Sequence, residues 1–359
     1  MLASATRTIR ILVLELLHAD EAAYQAASKS MRREGQAMLL SMAIDLNQWP
    51  CSDVTVAAIS QAINQLGELD SLVTWNPCQD VSSLVAEVAA AKNHFDVAFC
   101  IAPEGALQKT IDCVKQIASR VLCVNDRLVQ LGSDKLAFHD WCCMNQIPMI
   151  PVLPVADCGS WPVNEGDFVV VKDRFGAGCE GIRRYVWSEG IRQVVEATCD
   201  QQVIWQQFMS GKFYSVGILG TGQGTDPLIL PAAEQDVCWE GCVPRYQGGR
   251  VPAVFSALQQ CQLTDLVRQV VSAARIDDGY VGLDLMWSAE IGDIDQCHGD
   301  DDRGNSSWRV VELNPRLCTS YLGYRRLFSE NLTECWWNPS FVLSDVTGEK
   351  PCEFLATGF

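Results

Sequence analysis

The sequence predicts an α/β first third followed by a strand-rich α+β remainder, on three observations. Apolar runs at 9–17, 54–59 and 95–101 alternate with helical patterns at 28–46 and 82–92, which is how a parallel sheet covered on both faces reads. Beyond Pro162 the pattern turns to strands at 168–172, 182–187, 202–208 and 214–219, with a late pair at 279–287 and 308–313. The chain has 359 residues, 48% hydrophobic and 20% charged, which suits two or three packed domains and is too apolar for a disordered chain.

The run at 9–17 is interrupted by Glu15 and ends at His18, Asp20 and Glu21 without a small-residue cleavage site. It therefore reads as a first strand and not as a secretion leader. Met31, Met38, Leu39, Met42 and Leu46 then recur at helical spacing. The strand at 95–101 breaks at Ala102-Pro103-Glu104-Gly105, at the carboxyl edge where a parallel sheet presents its functional loops. A helix over 106–119, a strand over 121–124 and a turn at Asn125–Arg127 follow, and a domain boundary falls near Asn125. Ser133-Asp134-Lys135 carries capping residues ahead of Leu136, Phe138 and Trp141 on one helical face. Pro148, Pro151 and Pro154 draw the chain out as an extended linker.

Lys plus Arg number 27 against 44 Asp plus Glu, a formal charge of −17. Such a surface repels nucleic-acid phosphates and anionic lipid, while leaving room for one small anion in a locally basic cleft. No window approaches the ~18 apolar residues of a membrane span. The 17 cysteines include no CxxC pair, and His18, His94, His139 and His298 lie at no zinc-ligand spacing. The cysteines read as small buried apolar residues in a reducing cytoplasm. Asp293, Asp295 and Asp300–Asp302 raise calcium, but the glycine and final glutamate of an EF-hand are misplaced, so a solvated hairpin tip is expected.

Gly176-Ala177-Gly178-Cys179-Glu180-Gly181 matches G-x-G-x-x-G, yet Ile182–Trp187 alternates like a strand where a dinucleotide site needs a helix. The glycines then join two strands, either as a lid whose amides close over phosphates or as an ordinary hairpin. Lys172 before this loop and Lys135 at a helix start are surface lysines taken singly. With the loop they supply charges for the α- and β-phosphates of a triphosphate. In Val310-Val311-Glu312-Leu313-Asn314-Pro315-Arg316, Glu312 and Asn314 are two apart and share one strand face. A carboxylate and an amide oxygen aimed together suit magnesium, and Asp284, inside an apolar run, is a third donor for a neighbouring strand to bring alongside. Arg316 stands ready to stabilise developing negative charge. A salt bridge at a strand end is the competing reading of 312–316.

In this order, from about 125 to 324, the motifs resemble the ATP-grasp superfamily of carboxylate–amine ligases. Gln206-Gln207-Phe208-Met209-Ser210-Gly211 is similar to its adenine hinge, with Gln206, Gln207, Phe208 and Met209 lining the nucleotide. The resemblance implies a Rossmann-like domain over 1–125, then a two-lobed ATP-grasp domain with a small lobe over 126–205 and a large lobe over 206–359. It implies ATP as cosubstrate and Mg2+ or Mn2+ held by Asp284, Glu312 and Asn314. Lys135, Lys172, Gly176, Gly178 and Gly181 would hold phosphates, with Lys172 and Arg316 acting in catalysis. Many members carry a glutamate where Gln206 or Gln207 stands, and an acid near Phe213. Arg33-Glu34-Gly35-Gln36-Ala37-Met38-Leu39, Ile101-Ala102-Pro103-Glu104 and Asn314-Pro315-Arg316-Leu317-Cys318-Thr319-Ser320-Tyr321 resemble the branch containing tyramine–L-glutamate ligase of methanofuran biosynthesis, in one-carbon metabolism. The lysine-joining ligase of pyrrolysine synthesis shares them.

That resemblance implies an amide bond made through an acylphosphate, from a small-molecule carboxylate (glutamate) and an amine (tyramine or a relative). No nucleic-acid or membrane partner is expected; a homodimer is compatible with the reading. The alternatives are another amino-acid pair, or a nucleotide-binding regulatory protein without turnover. Tyr321, Tyr324, Arg325 and Arg326 either meet an anionic, aromatic substrate pair or lie on a solvated helix start.

Overall fold

The alternating first third builds a five-stranded parallel sheet, seen in a computed structural model that describes residues 7–69, 71–197, 202–222, 224–289, 307–346 and 350–358. Its strands are β1 (Ile9–Glu15), β2 (Ser52–Ala58), β3 (Thr74–Pro77), β4 (Phe95–Ile101) and β5 (Ala118–Val121), in the order β3-β2-β1-β4-β5. The period of two divides β1 between two cores. Leu12 and Leu14 pack with Leu84, Val88, Leu107 and Ile111 from the helices Val81–Ala90 and Glu104–Val114. Ile11 and Val13 pack instead with Met38, Leu39 and Met42 of the helix Lys29–Asn47.

Two expectations shift here. The fifth strand lies at Ala118–Val121 and not at 121–124, because its helix begins at Glu104 and ends at Val114. Pairing of Phe95 with Ala118 and of Ala98 with Val121 fixes that register. Asn125 does more than turn the chain: its side chain accepts from Leu128 N at 3.0 Å and caps a helix, Asp126–Ser133. The proline stretch is not wholly a linker either. Val152–Leu153 forms β6, and Met149 bridges to Val310.

The second sheet is antiparallel and small: β6, β7 (Phe168–Asp173), β8 (Arg183–Val186) and β9 (Val203–Gln207), in the order β6-β9-β7-β8. The third holds β10 (Lys212–Thr221), β12 (Ala233–Glu240), β13 (Val243–Val251), β14 (Asp278–Trp287), β15 (Trp308–Asn314) and β16 (Cys352–Leu355), ordered β15-β14-β10-β12-β13-β16, with β11 (Leu228–Ile229) beside β10. The β12–β13 hairpin and the helix Ala257–Ala274 have no counterpart in the sequence reading. Both carry many half-exposed polar residues, which dilute an apolar period. The aspartates at 293, 295 and 300–302 lie outside the described residues. Among those residues, no helix is long and apolar enough to cross a membrane. Cys51, Cys143, Cys238, Cys242 and Cys261 are exposed, contrary to the expectation of burial.

The first and third sheets are tied by an ionic link. Asp45, at the end of the helix Lys29–Asn47, accepts from Tyr321 Oη at 2.8 Å and from Arg325 Nη2 at 2.6 Å. Tyr324 Oη receives the amide of Gly217 at 3.0 Å. Both tyrosines are fully buried. Tyr321 and Arg325 therefore seat the first domain on the large sheet, while Tyr324 braces that sheet from within. Arg326 Nη1 donates to the carbonyl of Glu353 at 3.2 Å. Removing the carboxylate would leave a phenol and a largely buried guanidinium unpaired. Asp45→Ala is expected to cost about 2–3 kcal/mol in urea unfolding; an unchanged midpoint would show the link to be incidental.

Candidate active site

All three sheets contribute to one cavity of about 630 Å³. Its floor is a face of the third sheet, where strand pairing sets residues in rows. In one row Phe213 of β10 lies beside Met286 of β14; in the next Ser215 lies beside Asp284, which lies beside Glu312 of β15; in a third Gly217, Gly282 and Asn314 align. The floor thus runs from apolar to acidic over a few residues. A β-bulge between Asp284 and Leu285 interrupts the β14–β15 ladder, where Leu285 pairs with Val310. The extra residue, Val311, lines the cavity together with its neighbour Glu312, the re-aiming that a bulge provides.

Asp284 is the electrostatic strain point of this floor. Burial first, and the adjacent charge of Glu312 second, push its carboxyl well above the usual carboxylate range. Asn314 Nδ2 donates to its Oδ2 at 3.0 Å and Gln235 Nε2 to its Oδ1 at 3.2 Å. The Asn314 amide therefore turns its nitrogen to Asp284, and its oxygen is left for another partner. Among the described residues no three His, Cys, Asp or Glu side chains stand close enough to hold a metal. The donor set is two carboxylates and an amide.

The roof comes from the small sheet. Val170 and Lys172 share a face of β7, and Val170 pairs with Gln206 of β9. Gln206 is buried and spends its Nε2 on the carbonyl of Ile150 at 3.1 Å. Ile150, Met209, Phe213, Met286 and Val311 form a small apolar cluster at this end, dimensioned for a flat heterocycle between roof and floor. Gln207 and Phe208 line the same end. Lys172 is only 9% exposed; burial pulls its ammonium below the ordinary lysine range, and Glu312 opposes that shift. Lys135 Nζ stands 3.7 Å from Glu312 Oε2 and donates to the carbonyl of Gly176.

The glycine segment joins the antiparallel strands β7 and β8, with no helix following. Gly178 and Gly181 adopt positive φ, +61° and +75°, and a Cβ at Gly181 would collide with the Asp173 carboxylate. The base of the loop is fixed by Asp134, which has two tasks. It caps the helix Lys135–Met144 by accepting from Leu136 N and Ala137 N at 3.0 and 3.1 Å. It also grips Arg174 twice, at 2.7 and 2.6 Å. Burial works against the Asp134 charge, but Arg174 and the helix amides outweigh it and hold the carboxyl below its ordinary range.

Beyond Asn314, Arg316 turns towards the first domain, where its Nη2 stands 2.7 Å from Glu104 Oε1. Glu104 follows the loop that the sequence marked at the carboxyl edge of β4. The first domain supplies a whole wall of the cavity, including Ser30, Glu34, Ala102 and Pro103. Sequence reasoning assigned no site role to Glu34 or to Gln235, which sit in ordinary helical and strand patterns.

A family model described as an ATP-grasp domain matches residues 132–320. The chain belongs to the ATP-grasp family. Its two antiparallel sheets with a preceding parallel sheet also match solved ATP-grasp structures. An ATP-grasp superfamily protein from Archaeoglobus fulgidus superposes with a TM-score of 0.63 at 18% identity, covering 92% of this chain and 88% of that one. Biotin carboxylase from Campylobacter jejuni gives 0.66 at 13% identity over 94% and 72%. L-amino acid ligase from Bacillus licheniformis gives 0.57 at 14% over 98% and 76%. No curated protein matches the chain by sequence.

In this ATP-grasp chain the donor set fits a hard cation. Asp284, Glu312 and the Asn314 oxygen are oxygen ligands only, as Mg2+ or Mn2+ prefers, and too few to displace all its waters or phosphates. The raised Asp284 carboxyl marks a place where positive charge is wanted.

The Asp134 hub yields a test. Asp134→Ala removes a helix cap and the anchor of the glycine loop, and should cost about 1–2 kcal/mol. Because its folded-state carboxyl is depressed, this contribution is present above the ordinary carboxylate range and fades as pH falls through the folded value. Limited proteolysis should cut the variant within 174–182 several times faster at neutral pH; an unchanged pattern would remove Asp134 as the anchor.

Proposed function

We propose that this protein is an ATP-dependent carbon–nitrogen ligase, forming an amide through an acylphosphate with release of ADP. The observation that carries this reading is a cavity lined by the buried Lys172, the paired carboxylates Asp284 and Glu312 and Arg316, with the half-buried Lys135 3.7 Å from Glu312. The units 1–125, 126–205 and 206–359 are then a substrate-binding domain, a small lobe and a large lobe.

The apolar cluster around Met286 and Ile150 would take adenine, against Gln206, Gln207, Phe208 and Met209. Lys135 and Lys172 would fix the α- and β-phosphates, helped by the amides around Gly176, Gly178 and Gly181. Asp284, Glu312 and Asn314 would hold magnesium or manganese, which when bound neutralises phosphate charge during transfer. The loop at 174–182 would exclude water from the acylphosphate. Arg316, held by Glu104, would stabilise the oxyanion that forms when an amine adds to the acyl carbon.

For substrates, the resemblance of the 33–39, 101–104 and 314–321 passages supports L-glutamate as carboxylate and tyramine as amine, as in methanofuran synthesis. ADP release with ATP, magnesium, glutamate and a panel of amines tests this. Release only with tyramine or a close relative supports the pair; release with other amino acids as acceptors supports a different pair, and tight nucleotide binding without release would refute the ligase. Glu312→Gln should abolish ADP formation while circular dichroism stays native; wild-type turnover in that variant would remove the metal site. Lys172→Ala should raise the KM for ATP about 10- to 100-fold, the worth of a buried charge-assisted contact. An unchanged KM would take Lys172 out of the phosphate site.

A further inference from the structure

The wall that the first domain gives to the cavity carries a carboxylate that the nucleotide does not need. Glu34 lies in the second turn of the helix Lys29–Asn47 and lines the cavity with Glu180 and Cys179 of the glycine loop, Tyr246 of β13, and Arg316. Among the described residues its carboxylate accepts one hydrogen bond, from Ser30 Oγ at 3.1 Å. Arg316 is not its ion-pair partner, since that guanidinium reaches Glu104 at 2.7 Å. Asp284 is engaged by Asn314 and Gln235, and Glu312 by Lys135. On the first-domain wall Glu15, the other cavity carboxylate, is taken by His18, so Glu34 is the carboxylate of that wall with bonding capacity to spare.

Its position is as informative as its chemistry. The charge of Arg316 acts on both Glu34 and Glu312, and the Cys179 thiol feels both carboxylates. Glu34 therefore belongs to the first-domain wall and Glu312 to the floor, with Arg316 and the loop tip common to both. An acyl group activated over the floor would meet its nucleophile from the Glu34 side.

We propose that Glu34 receives the amine substrate: it binds a primary ammonium and takes one of its protons before attack. This rests on the ligase reading above. The ammonium R–NH3+ gives a proton to the Glu34 carboxylate, becoming R–NH2. The nitrogen lone pair then forms a bond to the acyl carbon, and the carbonyl π pair moves to oxygen beside Arg316. On collapse the acyl C–O bond breaks, its electron pair leaves with inorganic phosphate, and the second surplus proton departs with that phosphate. Burial raises the Glu34 carboxyl above the ordinary range, with Ser30 and Arg316 opposing and Glu180 adding to the rise. That direction suits a proton acceptor working near neutrality.

The test uses the partition of one intermediate. With ATP, magnesium and L-glutamate, tyramine and hydroxylamine compete for the same acylphosphate, giving amide and hydroxamate. Hydroxylamine is largely uncharged near neutral pH and needs no ammonium site. Their ratio does not depend on how much of a preparation is folded or how fast the acylphosphate forms. Glu34→Gln should lower the amide-to-hydroxamate ratio about 10- to 100-fold, the effect of losing one charge-assisted contact, and Glu34→Asp should restore part of it. An unchanged ratio in Glu34→Gln, or no recovery in Glu34→Asp, would overturn the proposal. A wild-type protein that forms no hydroxamate would instead refute the reading as a glutamate-activating ligase on which it rests.

Discussion

Asp284 and Glu312 stand opposite each other on paired strands in the cavity floor, where burial and the Glu312 charge together raise the Asp284 carboxyl. Two carboxylates so placed repel, and one of them must hold its proton or find positive charge. The rest of the site can be understood as supplying that charge. Lys135 and Lys172 reach in from two other elements, and the Asn314 amide donates to Asp284. The loop that closes the cavity is pinned by Asp134 to the helix that carries Lys135. On the proposed reading, a cation carrying polyphosphate would complete the balance and let an acidic protein of net charge −17 hold an anionic nucleotide.

The first domain matters for a different reason. Without it the floor would lack a wall, and Arg316 would lose its carboxylate partner and keep only the Leu317 carbonyl. Glu104, at the carboxyl edge of β4, holds that arginine, while Asp45 grips Tyr321 and Arg325 just after it in sequence. The segment from Glu312 to Arg325 thus binds the domains together at one end and builds the floor at the other.

Much of this was legible because the informative residues break local rules. An aspartate inside the apolar run at 281–286, and a glutamate and an asparagine spaced for one strand face, stand out against the apolar pattern around them; the structure brings all three together, and also gives the salt bridges of the competing reading, Lys135–Glu312 and Arg316–Glu104. The G-x-G-x-x-G segment was read as a strand-to-strand loop because β-formers follow it, and β8 lies there. The tyrosines and arginines at 321–326 were open between two readings; Tyr321 and Arg325 take a third, because their partner Asp45 is some 280 residues away, while Arg326 lies exposed. Glu34 was quoted only within a resemblance: a charged residue in an amphipathic helix looks solvated until another sheet covers it. The β12–β13 hairpin and the strand displaced to Ala118–Val121 were set by pairing partners that local pattern does not name.

Anomalous diffraction from Mn2+ in crystals grown with a non-hydrolysable ATP analogue tests the central claim most directly. The account predicts a manganese peak at about 2.0–2.2 Å from oxygens of Glu312 and Asn314, with Asp284 beside it, Lys135 released from Glu312 and the triphosphate on the metal. Nucleotide bound elsewhere, or manganese absent while Lys135 still pairs with Glu312, would contradict it.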